Sequence, residues 1–183
     1  MSNTIYLTSD DYSVQSGNKG KLLCLNEVPG LCFVMYHVDS GKCTYCEDTL
    51  PHFKAASRMV PSCMFGLCNL SRNPNIIKLA NSTITPFEAV PTLIVYFNGR
   101  PLARYEGERT AVDFAEFIQE MMMRLQEKKN FINNRNFKLA TEDEATIPGI
   151  GKAYNVVCDE ESGKCYLKAA EVYGSSPMGK KKY

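Results

Sequence analysis

The chain has 183 residues, enough for one well-buried core of ordinary domain size with short appendages. With 44% hydrophobic and 22% charged residues it has globular composition, which excludes a disordered chain. A net charge of +1 excludes a one-signed field that would draw nucleic acid or an acidic membrane to the whole molecule. Lys180-Lys181-Lys182 is a local exception and reads as a solvated tail. No apolar run approaches the roughly 18 residues that span a bilayer, and the N-terminus holds no basic stretch followed by an apolar run. The expectation is an intracellular protein with no signal peptide, no membrane span and no nucleic-acid partner.

Along the chain, residues 1–19 are polar and turn-rich, with only Ile5-Tyr6-Leu7 reading as a short strand, so they are expected to be an N-terminal extension. Leu22 to Leu25 and Leu31 to Val38 are apolar runs bounded by Pro29-Gly30 and Ser40-Gly41, and the second has the character of a buried central strand. From Cys43 the period changes: Cys46, Leu50, Phe53 and Ser57 share one helical face, with charged residues between them. Cys63 to Leu70 is a further strand. Asn73-Pro74 then offers an N-cap residue and a proline at the first helical position.

Thr92 to Phe97 and Leu102 to Tyr105 flank Asn98-Gly99, the dipeptide best suited to a type I′ hairpin turn. Thr110 to Asp113 is a capping pattern, and Val112, Phe117, Ile118, Met121, Met122 and Leu125 form the apolar stripe of a long closing helix. This order of elements predicts an α/β unit over residues 20–126, with a mixed central sheet flanked by helices. Residues 127–183 lose the helical period and read as an extended C-terminal arm. Within it Val156 to Cys158 and Cys165 to Leu167 suggest a small hairpin near 156–167.

Eight cysteines are many for an intracellular chain. Cys24, Cys32, Cys63 and Cys68 lie in strand-like runs and are expected to be buried small hydrophobes. Cys43-Thr44-Tyr45-Cys46 is different, because it opens a helix. A sulfur at that end meets the positive pole of the helix dipole and unsatisfied N–H groups, which favour the thiolate. Cys43 is therefore expected to be the accessible attacking nucleophile and Cys46, one turn on, the resolving thiol, with Lys42 adding positive charge. A competing reading makes the pair half of a tetrahedral zinc site completed by Cys158 and Cys165, although their six-residue separation exceeds the usual knuckle spacing. The leading reading has no metal and no organic cofactor, only a redox-active cysteine pair. Cys158 and Cys165 are expected to face each other across the terminal hairpin and are a structural disulfide candidate.

Taken together, these markers resemble the thioredoxin family over about residues 20–126. Leu31 to Tyr36 looks like its central strand, Cys43 to Cys46 like its redox motif, and Pro51 like its helix-kinking proline. Val90-Pro91-Thr92 is similar to its cis-proline loop, and Tyr96 to Arg100 with Gly107 resembles its closing hairpin. The resemblance implies a thioredoxin-like fold and thiol–disulfide exchange with protein thiols or disulfides. Thr44, Tyr45, Val90, Pro91 and Thr92 would meet an extended substrate segment through backbone pairing. It also places His37 where the family buries an acidic proton acceptor, a task a neutral imidazole can perform. Three departures stand out: Lys42 replaces the family's tryptophan, the carboxylate is missing, and Leu25 to Leu31 leaves no room for the helix between the first two strands.

Two function readings follow. The first is a thiol–disulfide oxidoreductase acting on protein disulfides. The alternative is a non-catalytic thioredoxin-fold module in a larger assembly, such as a minor capsid component of a large DNA virus virion, with residues 127–183 ordered by an assembly partner.

Overall fold

A computed structural model describes residues 3–135, 155–159 and 164–168. Strand β4 (Leu31–His37) lies in the middle of a five-stranded sheet, as its almost wholly apolar sequence requires of a strand covered on both faces. It runs parallel to β5 (Met64–Asn69), reached by a crossover through helix α1 (Thr44–Met59), and antiparallel to β7 (Thr92–Phe97). A hairpin joins β7 to β8 (Arg100–Tyr105). At its turn Asn98 and Gly99 both have positive φ, 48° and 78°, as a type I′ turn demands. The turn is docked: the Gly30 N–H donates to Asn98 Oδ1 at 2.8 Å, and the Asn98 N–H donates to the Gly30 carbonyl at 2.9 Å. A Cβ on Gly99 would stand 2.3 Å from the Leu25 carbonyl oxygen, so space as well as φ selects glycine there.

The opposite edge of the sheet is β1 (Thr4–Leu7), parallel to β5 with Thr4 opposite Phe65. The order is therefore β1-β5-β4-β7-β8. Residues read from sequence as an N-terminal extension thus supply the sheet's first strand. With four residues, Tyr6 74% exposed and a partner far along the chain, this strand carries almost no local signal.

Two faces of β4 bury different partners. Phe33 points toward α1 and α3 (Ala111–Arg135), its ring 5.4 Å from Phe53 and 5.7 Å from Phe114 and Phe117. Tyr36 points the other way, onto Tyr12 of β2 (Tyr12–Gly17) and onto Phe87. Strand β3 (Gly20–Leu25), expected as a strand, pairs with β2 as a separate hairpin instead of joining the main sheet. That hairpin and α2 (Pro74–Asn81) pack together. Asn73 precedes α2 without capping it: its Oδ1 accepts from the Ser9 N–H and its Nδ2 donates to the Asn69 carbonyl, both at 3.0 Å. Thr110 does cap α3, its Oγ1 accepting from the Asp113 N–H at 3.2 Å.

The fold is thioredoxin-like, a mixed central sheet flanked by helices. A second, three-stranded sheet stands apart from the first. It is formed by β6 (Ala89–Val90), β10 (Lys164–Lys168) and β9 (Asn155–Asp159), with β10 in the middle. Among the described residues no helix is long and apolar enough to cross a membrane.

Candidate active site

Cys43 ends the loop after β4 in an extended conformation and is the N-cap of α1. Its Sγ accepts a hydrogen bond from the Cys46 N–H at 3.1 Å. The same N–H also donates to the Cys43 carbonyl at 3.1 Å, and the sulfur stands at the N-terminal, positive end of a 16-residue helix. Cys43 and Cys46 are joined as a disulfide, with their Cα atoms 5.2 Å apart. Bonded to each other, the two sulfurs have no thiolate to offer a metal in this state. Among the described residues no cluster of three or more histidine, cysteine, aspartate or glutamate side chains is placed to hold an ion.

The loop before the motif is held from the helix side. Glu47, in the first turn of α1, accepts from the Ser40 hydroxyl at 2.8 Å and from the Gly41 N–H. These bonds, the Gly41 one first, hold its carboxyl below the usual carboxylate range. Lys42 pairs with Asp39, its Nζ 3.5 Å from the carboxylate, and Asp39 also pairs with Arg72. Both sides of the Lys42 pair are well exposed, so the pair contributes little to stability.

Cys43 is not the accessible sulfur expected from its place at a helix end. It is only 1% exposed, and its Sγ lies 3.8 Å from the Val90 carbonyl oxygen. Val90 and Pro91, joined by a cis peptide bond, and Thr92 are all buried beside the motif. The Thr92 hydroxyl donates to the Ala89 carbonyl and closes this loop on itself. Tyr45 is half-buried beneath the Arg109 guanidinium, 6.0 Å from the ring centre, whereas Thr44 is exposed. Beside Pro91 a cavity of about 190 Å³ opens between Thr92, Arg104, Tyr105, Gly107 and Arg109. The two arginines, and the acceptor role of Glu47 toward the loop, were not visible in the sequence. Only the nearness of Glu47 to the Ser40-Gly41 turn could have hinted at the second.

His37 lies at the end of β4, with Nδ1 3.2 Å from the Val38 carbonyl. Burial pushes its pKa below the usual imidazole value, against the raising effects of that carbonyl and of Asp39. Among the described residues no hydrogen bond joins its ring to either cysteine of the motif.

Cys24, Cys32, Cys63 and Cys68 are buried free thiols; the first, second and fourth lie in strands, as expected, whereas Cys63 lies just before β5. Burial pushes Cys32, Cys63 and Cys68 up to about 12. Strand β10 pairs antiparallel with β6, with Cys165 opposite Val90, and with β9, with Cys165 opposite Cys158. The side chains of both cysteines lie outside the described residues, and with them the expected disulfide.

No protein-family model matches the chain. It is 26% identical over 147 residues to an uncharacterized protein, 196R, of Invertebrate iridescent virus 6, covering 79% of this chain and 76% of that one. It is 27% identical over 152 residues to another, 020R, of Invertebrate iridescent virus 3, covering 77% and 85%. Among solved structures it is similar to human ERp44 at 19% identity and a TM-score of 0.45, over 50% of this chain. The match spans about a quarter of the ERp44 chain (25%). It is also similar to Fasciola hepatica thioredoxin at 20% identity and a TM-score of 0.40, over 50% of this chain and 80% of that one.

Proposed function

We propose that the protein is a thiol–disulfide oxidoreductase acting on protein disulfides through Cys43 and Cys46, with no metal or organic cofactor. The observation that carries this reading is the bonded cysteine pair at the start of α1, with the Cys46 N–H directed at Cys43 Sγ and the Val90 carbonyl beside it. In the reduced protein the Cys43 thiolate attacks one sulfur of a substrate disulfide and releases the other as a thiolate. Cys46 then attacks Cys43, the mixed disulfide breaks, and the second substrate sulfur leaves. Two electrons pass to the substrate, and the protein returns to the Cys43–Cys46 disulfide. Thr44, Tyr45, Val90, Pro91 and Thr92 would line the extended substrate segment, which adds as a strand along β6. His37 is proposed as proton acceptor for Cys46: burial favours its neutral ring, and with Nδ1–H donating to Val38 the Nε2 lone pair is available.

The test is insulin reduction by the full chain with dithiothreitol as electron source. Precipitation of the insulin B chain should outpace that with dithiothreitol alone, and Cys43→Ser should abolish the difference. A wild-type rate no greater than the blank refutes the activity.

A second reading, a non-catalytic module of a virion, is favoured by one observation: the edge of β6 is already paired by this chain's own β10. The two iridescent-virus relatives support a viral setting. Absence of insulin turnover together with recovery of the chain in purified virions would establish it.

A further inference from the structure

The terminal hairpin does not lie at an arbitrary place. Strand β10 occupies the edge of β6, the two residues that lead into Pro91, and its register sets Cys165 opposite Val90. Val90 is the residue whose carbonyl oxygen lies 3.8 Å from Cys43 Sγ. Paired strands run about 4.7–4.9 Å apart, so a cysteine-bearing backbone position stands one strand spacing from the residue that touches Cys43. On the other edge of β10 the same cysteine is in register with Cys158. Residues directly opposite in an antiparallel pair have Cα atoms about 4.5–5.5 Å apart, within the roughly 4.4–6.8 Å that a disulfide bridges. Two cysteines of the arm are thus in register with one another, and one is also in register with the exchange site.

We propose that Cys158 and Cys165 form a second redox pair that exchanges electrons with Cys43–Cys46 inside the same chain, delivered to it by addition of β10 to β6. The proposal rests on the exchange chemistry assigned to Cys43 and Cys46. With the first pair oxidised and the second reduced, the Cys165 thiolate attacks Cys43 Sγ. The Cys43–Cys46 bond breaks, Cys46 leaves as a thiolate, and a Cys43–Cys165 bond forms. The Cys158 thiolate then attacks Cys165, forming Cys158–Cys165 and releasing Cys43. Two electrons have moved from the arm to the site, the two protons given up by the arm's thiols are taken by Cys43 and Cys46, and no outside oxidant is consumed. The reverse sequence carries electrons from the site to the arm. Strand addition supplies the approach. The same backbone edge that would hold an extended substrate holds β10 instead, and an edge of this kind takes one strand at a time.

The test uses the full chain carrying Cys46→Ser and Cys158→Ser, which keeps one cysteine of each pair and removes both resolving thiols. In a buffer of reduced and oxidised glutathione, with glutathione disulfide accepting the two electrons, Cys43 and Cys165 should join within the monomer. Non-reducing digestion and mass spectrometry should then recover the Cys43–Cys165 peptide as the main linked species. Adding Tyr166→Pro removes a ladder bond from the middle strand of the small sheet and should slow the linkage about tenfold. Separate glutathione adducts on the two cysteines, or a linkage indifferent to the proline, would overturn the proposal. A second measurement avoids the serine at buried position 46. In Cys43→Ser the arm's pair should equilibrate with dithiothreitol about tenfold more slowly than in the wild type, and an unchanged rate would overturn the relay. The insulin assay separates the two ideas. Insulin turnover without the internal link retains the oxidoreductase and removes the relay; the link without turnover retains the relay and removes external protein disulfides as substrates.

Discussion

The sharpest consequence of the site's geometry is a gap in thiol reactivity. Consider the reduced full chain at pH 7, exposed briefly to iodoacetamide under native conditions. Only the thiolate reacts. Burial holds Cys32, Cys63 and Cys68 at about 12, so about one molecule in 10⁵ carries a thiolate at each of them. A cysteine with the ordinary thiol value of about 8.5 would be roughly 3% ionised at the same pH, an advantage of about three thousandfold. Cys43 differs from these three in position: once reduced, its sulfur stands at the start of α1 with the Cys46 N–H directed at it, an arrangement that favours the thiolate. Against it stands access, since only 1% of the residue is exposed. Peptide mass spectrometry of quenched time points should show Cys43 modified at least about a hundredfold faster than any of the three, leaving part of the thousandfold advantage to be consumed by limited access. Comparable rates at Cys43 and at Cys32, Cys63 or Cys68 would refute the argument that the helix end, and not burial, governs Cys43.

Two further outcomes follow from the packing around the site. Phe33→Ala empties the point where rings from α1, β5 and α3 converge, and should lower unfolding stability by about 3–5 kcal/mol in urea titration. The depressed pKa of His37 means that the unfolded chain takes up its proton first as pH falls, so the residue's contribution to stability is complete above the ordinary value of 6.5 and is lost as pH falls toward the lower folded value. His37→Gln should therefore flatten the pH dependence of stability in the window that begins at 6.5 and extends below it, and an unchanged slope in urea titrations across that window would contradict the assignment.

Much of the sheet and the motif helix was legible because their signals are local. β4 is a continuous apolar run. α1 announces itself by a change of period at Cys43, and the β7–β8 turn by one dipeptide whose φ angles leave few alternatives. What escaped was non-local or conditional. β1 is short, with Tyr6 exposed, and acquires meaning only against β5. Asn73 stands at the right place to cap α2, yet its side chain is claimed by Ser9 and Asn69, a competition that no sequence window contains. The burial of Cys43 has the same origin. The helix end is written in residues 43–59, but the cover comes from the loop at 89–92.

The hairpin at 155–168 shows most clearly how position creates chemistry that composition does not. As a sequence it reads as two short strands with a cysteine in each, and nothing in it says what lies alongside. β6 is only two residues long, too short to hold a ladder without a partner, and an unpaired strand edge is an open template for whatever extended segment reaches it. Pairing with β10 satisfies that edge from within the chain and sets the backbone position of Cys165 opposite Val90, the residue whose carbonyl lies beside Cys43. An external substrate that adds to the edge of β6 held by β10 must displace that strand first. On this argument turnover of a protein disulfide should rise when β10 is weakened by Tyr166→Pro, because the competitor is removed while Cys43, Cys46 and the Val90–Thr92 loop are untouched. Insulin reduction by that variant, compared with wild type at equal concentration, measures the competition directly. A rate equal to or below wild type would mean that β10 does not occupy the edge a substrate uses.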